Sequence, residues 1–275
     1  MQLIKNKLKG LGLADSTIKT YLSVLDQFFK HTKKVTNFTE QEIHNYLDYL
    51  IIKKNYKARS RNLVSKVIKF YCREFLNFIP EIKKAKEDKP IPKICEDIEF
   101  SQILSVTPNI KHKLCLLLMR YSGLRKGEVI KIMKHHIQDD GRLKVVNGKG
   151  KKDRYTIIPP QIKDQLNSYI SLLKAENSYL FPSQDGKWHY SEGTPIEILK
   201  NAFNKLEWHK EKRFGCHALR HAFTIWAVDE LRMDFDEVSK ALGHSINQTT
   251  QLYTRCRKMN LKRAIELCSE VSIIQ

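Results

Sequence analysis

Cys216-His217-Ala218-Leu219-Arg220-His221, then Leu242-Gly243-His244-Ser245, then Leu252-Tyr253-Thr254-Arg255: the rest of this chain can be read outward from these three pieces. They put an arginine beside two histidines on one expected helix, a further histidine in a glycine turn, and a lone tyrosine nine residues later. Those residue types suit a phosphodiester. Phosphoryl transfer leaves a protein little covalent work beyond positioning and charge stabilisation. A tyrosine hydroxyl can act as nucleophile, arginine forks can hold the non-bridging oxygens, and histidines can carry protons. The stretch supplies one such arginine, Arg220; a second has to come from elsewhere, and Arg125 is the candidate.

Composition agrees with an anionic partner. The 275 residues carry a formal net charge of +19, an excess that points to a polyanion, most commonly DNA or RNA. Residues 1–95 hold 20 Lys+Arg against 9 Asp+Glu, so more than half of the excess lies in the first third. No apolar run is long enough to span a membrane, and Met1 to Lys9 alternates basic and apolar residues, unlike a signal peptide. The six cysteines (Cys72, Cys95, Cys115, Cys216, Cys256 and Cys268) include no Cys-x-x-Cys pair. That spacing argues against a zinc ribbon or a disulfide framework, and the expectation is a cytoplasmic protein with reduced thiols.

Periodicity predicts a mainly α chain with one small antiparallel β-sheet, an α+β class. Asp15 or Ser16 is expected to cap a helix whose apolar face is Ile18, Leu22, Leu25 and Phe29. Thr39 and Glu42 form a capping-box signature ahead of Ile43, Tyr46, Leu47 and Leu50. A third helix follows Ser60, with Leu63, Val64, Val67, Ile68, Tyr71 and Phe75 inward. The cations Lys57, Arg59, Arg61 and Lys66 cluster at its start, where a helix N-terminus suits a phosphate backbone. Pro90 and Pro92 lie in a charged stretch, so residues 1–82 are expected to form a helical DNA-binding domain, 83–97 a linker, and 98–275 a second domain. In that second domain an apolar helix from Leu114 to Tyr121 stops at Gly123, and another starts near Arg125. Strands are expected at 143–146 and 155–158, joined by the basic, glycine-rich turn 147–154. Helices follow at about 161–174, from Thr194, and at 261–269. Trp188, Trp208 and Trp226 read as core or interface residues.

Five pieces in order carry a resemblance: Ser122-Gly123-Leu124-Arg125-Lys126-Gly127-Glu128, Gly148-Lys149-Gly150-Lys151-Lys152-Asp153-Arg154, His217-Ala218-Leu219-Arg220-His221, Leu242-Gly243-His244-Ser245 and Leu252-Tyr253-Thr254-Arg255. The chain resembles the tyrosine recombinases, and among them the Xer-type dimer resolvases and their integrase relatives. The resemblance covers nearly the whole length. It implies a core-binding (SAM-like) helical domain and a catalytic domain closing on duplex DNA as a C-shaped clamp. It also implies a homotetramer on two duplexes, and chemistry that needs no cofactor and no metal. Lys126-Gly127 departs from the small apolar-serine pair often seen in Xer proteins and looks more like some integrases. No arm-binding domain of the phage type is seen, which implies short core sites. An integrase of a mobile element, a type IB topoisomerase-like enzyme without strand exchange, and a binding-only architectural factor stay open as alternatives.

Carried over by the resemblance, Tyr253 attacks the phosphate and leaves a 3′-phosphotyrosyl link. Arg125 and Arg220 neutralise the growing charge, and His217 moves the nucleophile's proton. Lys149 protonates the leaving 5′-oxygen, with Lys151 as the alternative, and His244 hydrogen-bonds a phosphate oxygen. Glu128, one turn from Arg125, is expected to orient a catalytic neighbour. His221 is expected to be packed or to support the site indirectly. Lys151, Lys152 and Arg154 join Lys57, Arg59, Arg61 and Lys66 as expected DNA contacts. His217, His221 and His244 could instead bind zinc, but the motif lacks the glutamate of His-Glu-x-x-His. The final helix is expected either to dock on a neighbouring protomer through Leu261, Ile265 and Leu267 or to fold back on its own domain.

Overall fold

A computed structural model describes residues 1–87, 93–146, 153–243 and 268. The chain divides into two compact units, Met1–Ile91 and Pro92–Gln275.

Four helices build the first unit: α1 (Gln2–Gly10), α2 (Asp15–Thr32), α3 (Glu40–Ile52) and α4 (Ala58–Leu76). Their core includes Leu8, Leu25, Phe28, Ile43, Leu47, Val67 and Ile68. Thr39 and Glu42 form the reciprocal capping box that starts α3, each satisfying a donor that the first turn would otherwise leave open. The start of α2 differs from expectation. Ala14 occupies the cap position without a side-chain bond, and the buried face is Ile18, Tyr21, Leu25 and Phe28, with Leu22 and Phe29 only half-buried. The stripe is rotated because aromatic residues of α3 and α4 reach α2. Phe28 packs on Tyr46 at 5.1 Å, and Tyr21 on Phe70 at 5.4 Å.

At the start of α4 the expectation fails in a more informative way. Leu63 is 42% exposed, whereas Arg61 and Asn62 are buried. Residues 82–85 lie across them. Arg61 Nη1 donates to the Lys83 carbonyl (2.6 Å), Asn62 exchanges two 2.9 Å bonds with the Ala85 backbone, and Lys69 Nζ donates to the Ile82 carbonyl (3.1 Å). The stretch after α4 is thus hydrogen-bonded onto it as far as Glu87, whose Oε1 accepts from Asn62 Nδ2 (2.9 Å).

The second unit opens with α5 (Asp97–Ser105), capped by Glu96 and Glu99, and α6 (Ile110–Tyr121). Every residue of α6 from Leu114 to Tyr121 is buried, Arg120 among them with its charge paired to Asp97 (2.6 Å). The short α7 (Lys126–Val129) follows, then an antiparallel pair β1 (Arg142–Val145) and β2 (Arg154–Ile157), with Arg142 opposite Ile157 and Val145 opposite Arg154. Both strands start one residue earlier than periodicity suggests. The remaining helices are α8 (Pro160–Ser171), α9 (Thr194–Lys205), α10 (Cys216–Asp229) and α11 (Phe235–Leu242). Packing of α10 on α6, α8 on α6 and α11 on β2 gathers the site elements around one core. Trp208 and Trp226 are buried, but Trp188 is 66% exposed and is no core residue. Cys268 is buried in this same core, and its carbonyl accepts a bond from Gln161 Nε2 (3.2 Å). That one residue is folded against its own chain; Leu261, Ile265 and Leu267 lie outside the described residues.

Candidate active site

The site begins where α6 stops. Gly123 adopts φ +63°, a left-handed conformation that glycine tolerates and side-chain-bearing residues rarely adopt. The turn buries Leu124 and makes Arg125 the cap residue of α7. Space is as restrictive as torsion here: a Cβ on Gly123 would lie 2.5 Å from Phe223 Cδ1 and 2.8 Å from Leu242 Cδ2. Gly123→Ala is therefore expected to cost about 2–3 kcal/mol of stability, from left-handed strain together with overpacking. Denaturant unfolding checks this; a loss under about 0.5 kcal/mol, the range of an ordinary surface change, would contradict it.

Glu128 closes the first turn of α7. The Arg125 backbone N–H donates to Glu128 Oε2 (2.8 Å), and Arg125 Nη1 donates to Oε1 (2.7 Å). A carboxylate in the first turn is also favoured by the helix dipole. From β2, Arg154 sends a fork onto the same carboxylate, Nη1 to Oε1 at 2.9 Å and Nη2 to Oε2 at 2.7 Å. Arg220 approaches from α10, its Nη1 lying 3.7 Å from Glu128 Oε2. Three guanidinium groups thus surround one carboxylate. Burial by itself would raise the Glu128 pKa, but the hydrogen bonds and charge of Arg154, followed by the backbone and side-chain hydrogen bonds of Arg125, bring it down from 4.5 to about 2.

Arg220 is only 5% exposed. Its Nη1 donates to the Gly123 carbonyl and its Nη2 to the Leu242 carbonyl, both at 2.5 Å. Burial, then the charge of Arg125, lower its pKa, while Glu128 opposes them; a guanidinium stays protonated at neutral pH regardless. Five N–H donors with two committed to carbonyls leave three. The side chain is held rigidly with donors to spare for an anion. Arg125 is half-buried, the more accessible of the two.

His217 stands on the first turn of α10, exposed to solvent yet crowded by cations. Partial desolvation, then Arg220, His221, Arg125 and Lys126, lower its pKa below 6.5. The imidazole is therefore mostly neutral at pH 7, the state that can accept a proton. Among the described residues no group of three or more His, Cys, Asp or Glu is arranged to hold a metal.

Arg125, Glu128, His217 and Arg220 are brought together, while Arg154, Arg61 and His221 sit differently from expectation. Arg154, expected to touch DNA, has a side chain 8% exposed that gives three hydrogen bonds inside the fold, two to Glu128 and one to the Ala241 carbonyl (Nε, 2.8 Å). Arg61, expected to do the same, is buried beneath residues 82–85. Both guanidinium groups are desolvated and paired inside the fold, so neither is the exposed surface cation that a basic run suggests. His221 is exposed on α10, so of its two expected places the packed one does not hold. Lys57, Arg59 and Lys66 are exposed. Lys149, Lys151, Lys152, His244 and Tyr253 lie outside the described residues. Sequence reading missed the two carbonyls that hold Arg220. The only signal was glycine two residues before Arg125 and again after Leu242, marking turns whose carbonyls point away from a helix.

With this geometry in place, the chain can be set beside known proteins. The profile of the Phage integrase family matches residues 94–259, and that of the phage integrase N-terminal SAM-like domain matches residues 1–78. Tyrosine recombinase XerA of Pyrococcus horikoshii is 29% identical over 280 residues, which cover 96% of this chain and 91% of the relative. A crystal structure of XerA recombinase superposes with TM-score 0.50 at 25% identity, over 97% of this chain and 96% of that one. A lambda integrase tetramer bound to a Holliday junction shares the fold at TM-score 0.71 and 17% identity, over 94% of this chain and 79% of that one. A carboxylate gripping the arginine ahead of α7, a second arginine anchored on α10, and family matches across both units lead to one conclusion: this chain belongs to the phage integrase family, the tyrosine recombinases, enzymes that cut and rejoin DNA at specific sites through a phosphotyrosine.

Proposed function

We propose that this recombinase is of the Xer type and resolves dimers of a chromosome or plasmid, working as a tetramer of identical chains on two duplexes. Tyr253 attacks the scissile phosphate while Arg125 and Arg220 take the charge that develops on its non-bridging oxygens. His217 accepts the phenol proton, Lys149 protonates the departing 5′-oxygen, and His244 seats the phosphate. The phosphotyrosyl link keeps the energy of the broken bond, so religation by a 5′-hydroxyl needs no nucleotide. What carries the reading is the convergence of Arg125 and Arg220 on Glu128, which leaves spare guanidinium donors on two elements of one site. The end-to-end match to XerA supports the Xer type. In the first unit Lys57, Arg59 and Lys66 supply DNA contacts. The exposed Arg73, Lys83 and Lys84 offer further cations to a phosphate backbone beside a groove of about 640 Å³ whose lining is mainly apolar, Leu11, Tyr21, Phe70 and Ile82 among it.

Incubation with nicked duplexes tiled across the replication-terminus region of the host tests this. A covalent adduct at one site, with the DNA mapped to Tyr253 by peptide mass, and resolution of a plasmid bearing two copies of that site are expected. Relaxation without resolution would favour the topoisomerase-like alternative, adducts only at the junction of a mobile element would favour an integrase, and no adduct on any duplex would leave only DNA binding.

A further inference from the structure

We infer that Arg154 is a positioning residue for DNA cleavage: one guanidinium ties the base of the β-hairpin to the carboxylate that holds Arg125 and to the last turn of α11. The inference rests on the role given above to Arg125 and Arg220. Arg154 is the first residue of β2, paired across the strands with Val145. Its fork bonds both oxygens of Glu128, while its Nε–H reaches the Ala241 carbonyl at 2.8 Å, so three elements distant in sequence share one planar group. A second bond runs alongside, from Thr156 Oγ1 to the Ser122 carbonyl at 2.9 Å, just before the turn at Gly123. Beta-strand and arginine turn are thereby locked in register.

The fork has a specific consequence. Glu128 must serve the Arg125 backbone, the Arg125 side chain and, at 3.7 Å, Arg220. Without Arg154 the carboxylate keeps its bonds to Arg125, but the Arg125–Glu128 pair loses its tie to β2 and to α11 and with it a fixed position. The far side of the contact is made by a glycine. Gly243 has φ +63°, and a Cβ there would lie 2.7 Å from Arg154 Cδ and 3.2 Å from its Nε. The turn that ends α11 therefore leaves room for this side chain and for nothing larger on its own backbone. Lysine is a poor substitute, since it has the charge but neither the second arm for Glu128 nor the in-plane Nε–H for Ala241.

The full chain and the nicked duplex of its mapped cleavage site provide the test, read as single-turnover adduct formation at saturating DNA alongside affinity from gel shift. Arg154→Ala and Arg154→Lys are each expected to slow adduct formation by roughly 10- to 100-fold, the scale of an ångström-sized misplacement, with affinity within about twofold of the parent. Ethylguanidinium should restore part of the rate to Arg154→Ala but not to Arg154→Lys, whose side chain fills the space; a purely structural role would not produce that split. Where Arg154→Ala is unfolded by circular dichroism, Arg154→Lys and Gly243→Ala carry the comparison, the latter crowding the guanidinium while retaining it. Adduct rates within about threefold of the parent for folded Arg154 variants would overturn the inference, as would a rate loss matched by an equal loss of affinity. Arg220→Ala serves as reference: if it too cleaves at the parent rate, the role of the arginine pair fails, whereas a slow Arg220→Ala beside a fast Arg154→Lys removes only the role of Arg154.

Discussion

Replacing Arg220 by lysine is expected to slow DNA cleavage by about 10²–10³-fold while changing DNA affinity little, since the loss of one aimed donor at a developing oxyanion is of that size. The substitution keeps the formal charge, so the loss has to come from geometry. Arg220 spends two N–H groups on the carbonyls of Gly123 and Leu242 and still has donors left. An ammonium has three hydrogens diverging from one nitrogen; to satisfy both carbonyls it would keep a single donor, displaced from the plane of the fork. If it turned instead towards a phosphate, two buried carbonyls would lose their partners, at about 1–3 kcal/mol each. Single-turnover formation of the covalent adduct separates this from a binding defect. A lysine variant cleaving within about threefold of the parent, well inside the span expected from oxyanion-donor losses, would show that charge alone suffices and that the carbonyl anchors are incidental.

The second large effect falls on stability. Glu128→Gln leaves Arg125, Arg154 and Arg220 facing one another without the carboxylate that compensates them, and breaking a buried ion pair in this manner costs about 3–5 kcal/mol. The effect has a pH signature. The folded-state pKa of Glu128 is depressed from 4.5 to about 2. Its stabilising contribution is therefore complete above the unfolded value, falls as pH drops below about 4.5, and disappears once pH passes the folded value. The full contribution is about 3 kcal/mol, the depression converted at 1.36 kcal/mol per unit, and roughly half of it is gone by pH 3. The side chain is only 10% exposed, so screening by solvent takes little from this figure. Urea unfolding of both proteins between pH 3 and pH 6 checks it. The stability gap should widen with rising pH up to about 4.5 and stay constant beyond; a gap flat across the range would mean that the carboxylate is not ionised against its three partners.

The residues that sequence reading located and those it misread differ in the range of their contacts. Arg125 and Glu128 are three residues apart, and helical geometry alone puts such residues together. Thr39 and Glu42 belong to the same class. Arg220 and His217 were legible because order and composition of five pieces limited the chemistry they could serve. Arg61 and Arg154 were misread because a basic residue in a basic run looks like surface until its partner is known. Those partners are 22 residues away for Arg61, and 26 and 87 residues away for Arg154.

From its order of residues alone, this protein was determined to be a mainly helical, strongly basic chain with a small hairpin, since helix periodicity, caps and turns act over a few residues. Which guanidinium groups are left free for DNA, and which are consumed in holding the site, was decided only by the tertiary structure. Burial and hydrogen-bond pairing depend on where β2, α7, α10 and α11 meet, and no short-range pattern encodes that meeting point.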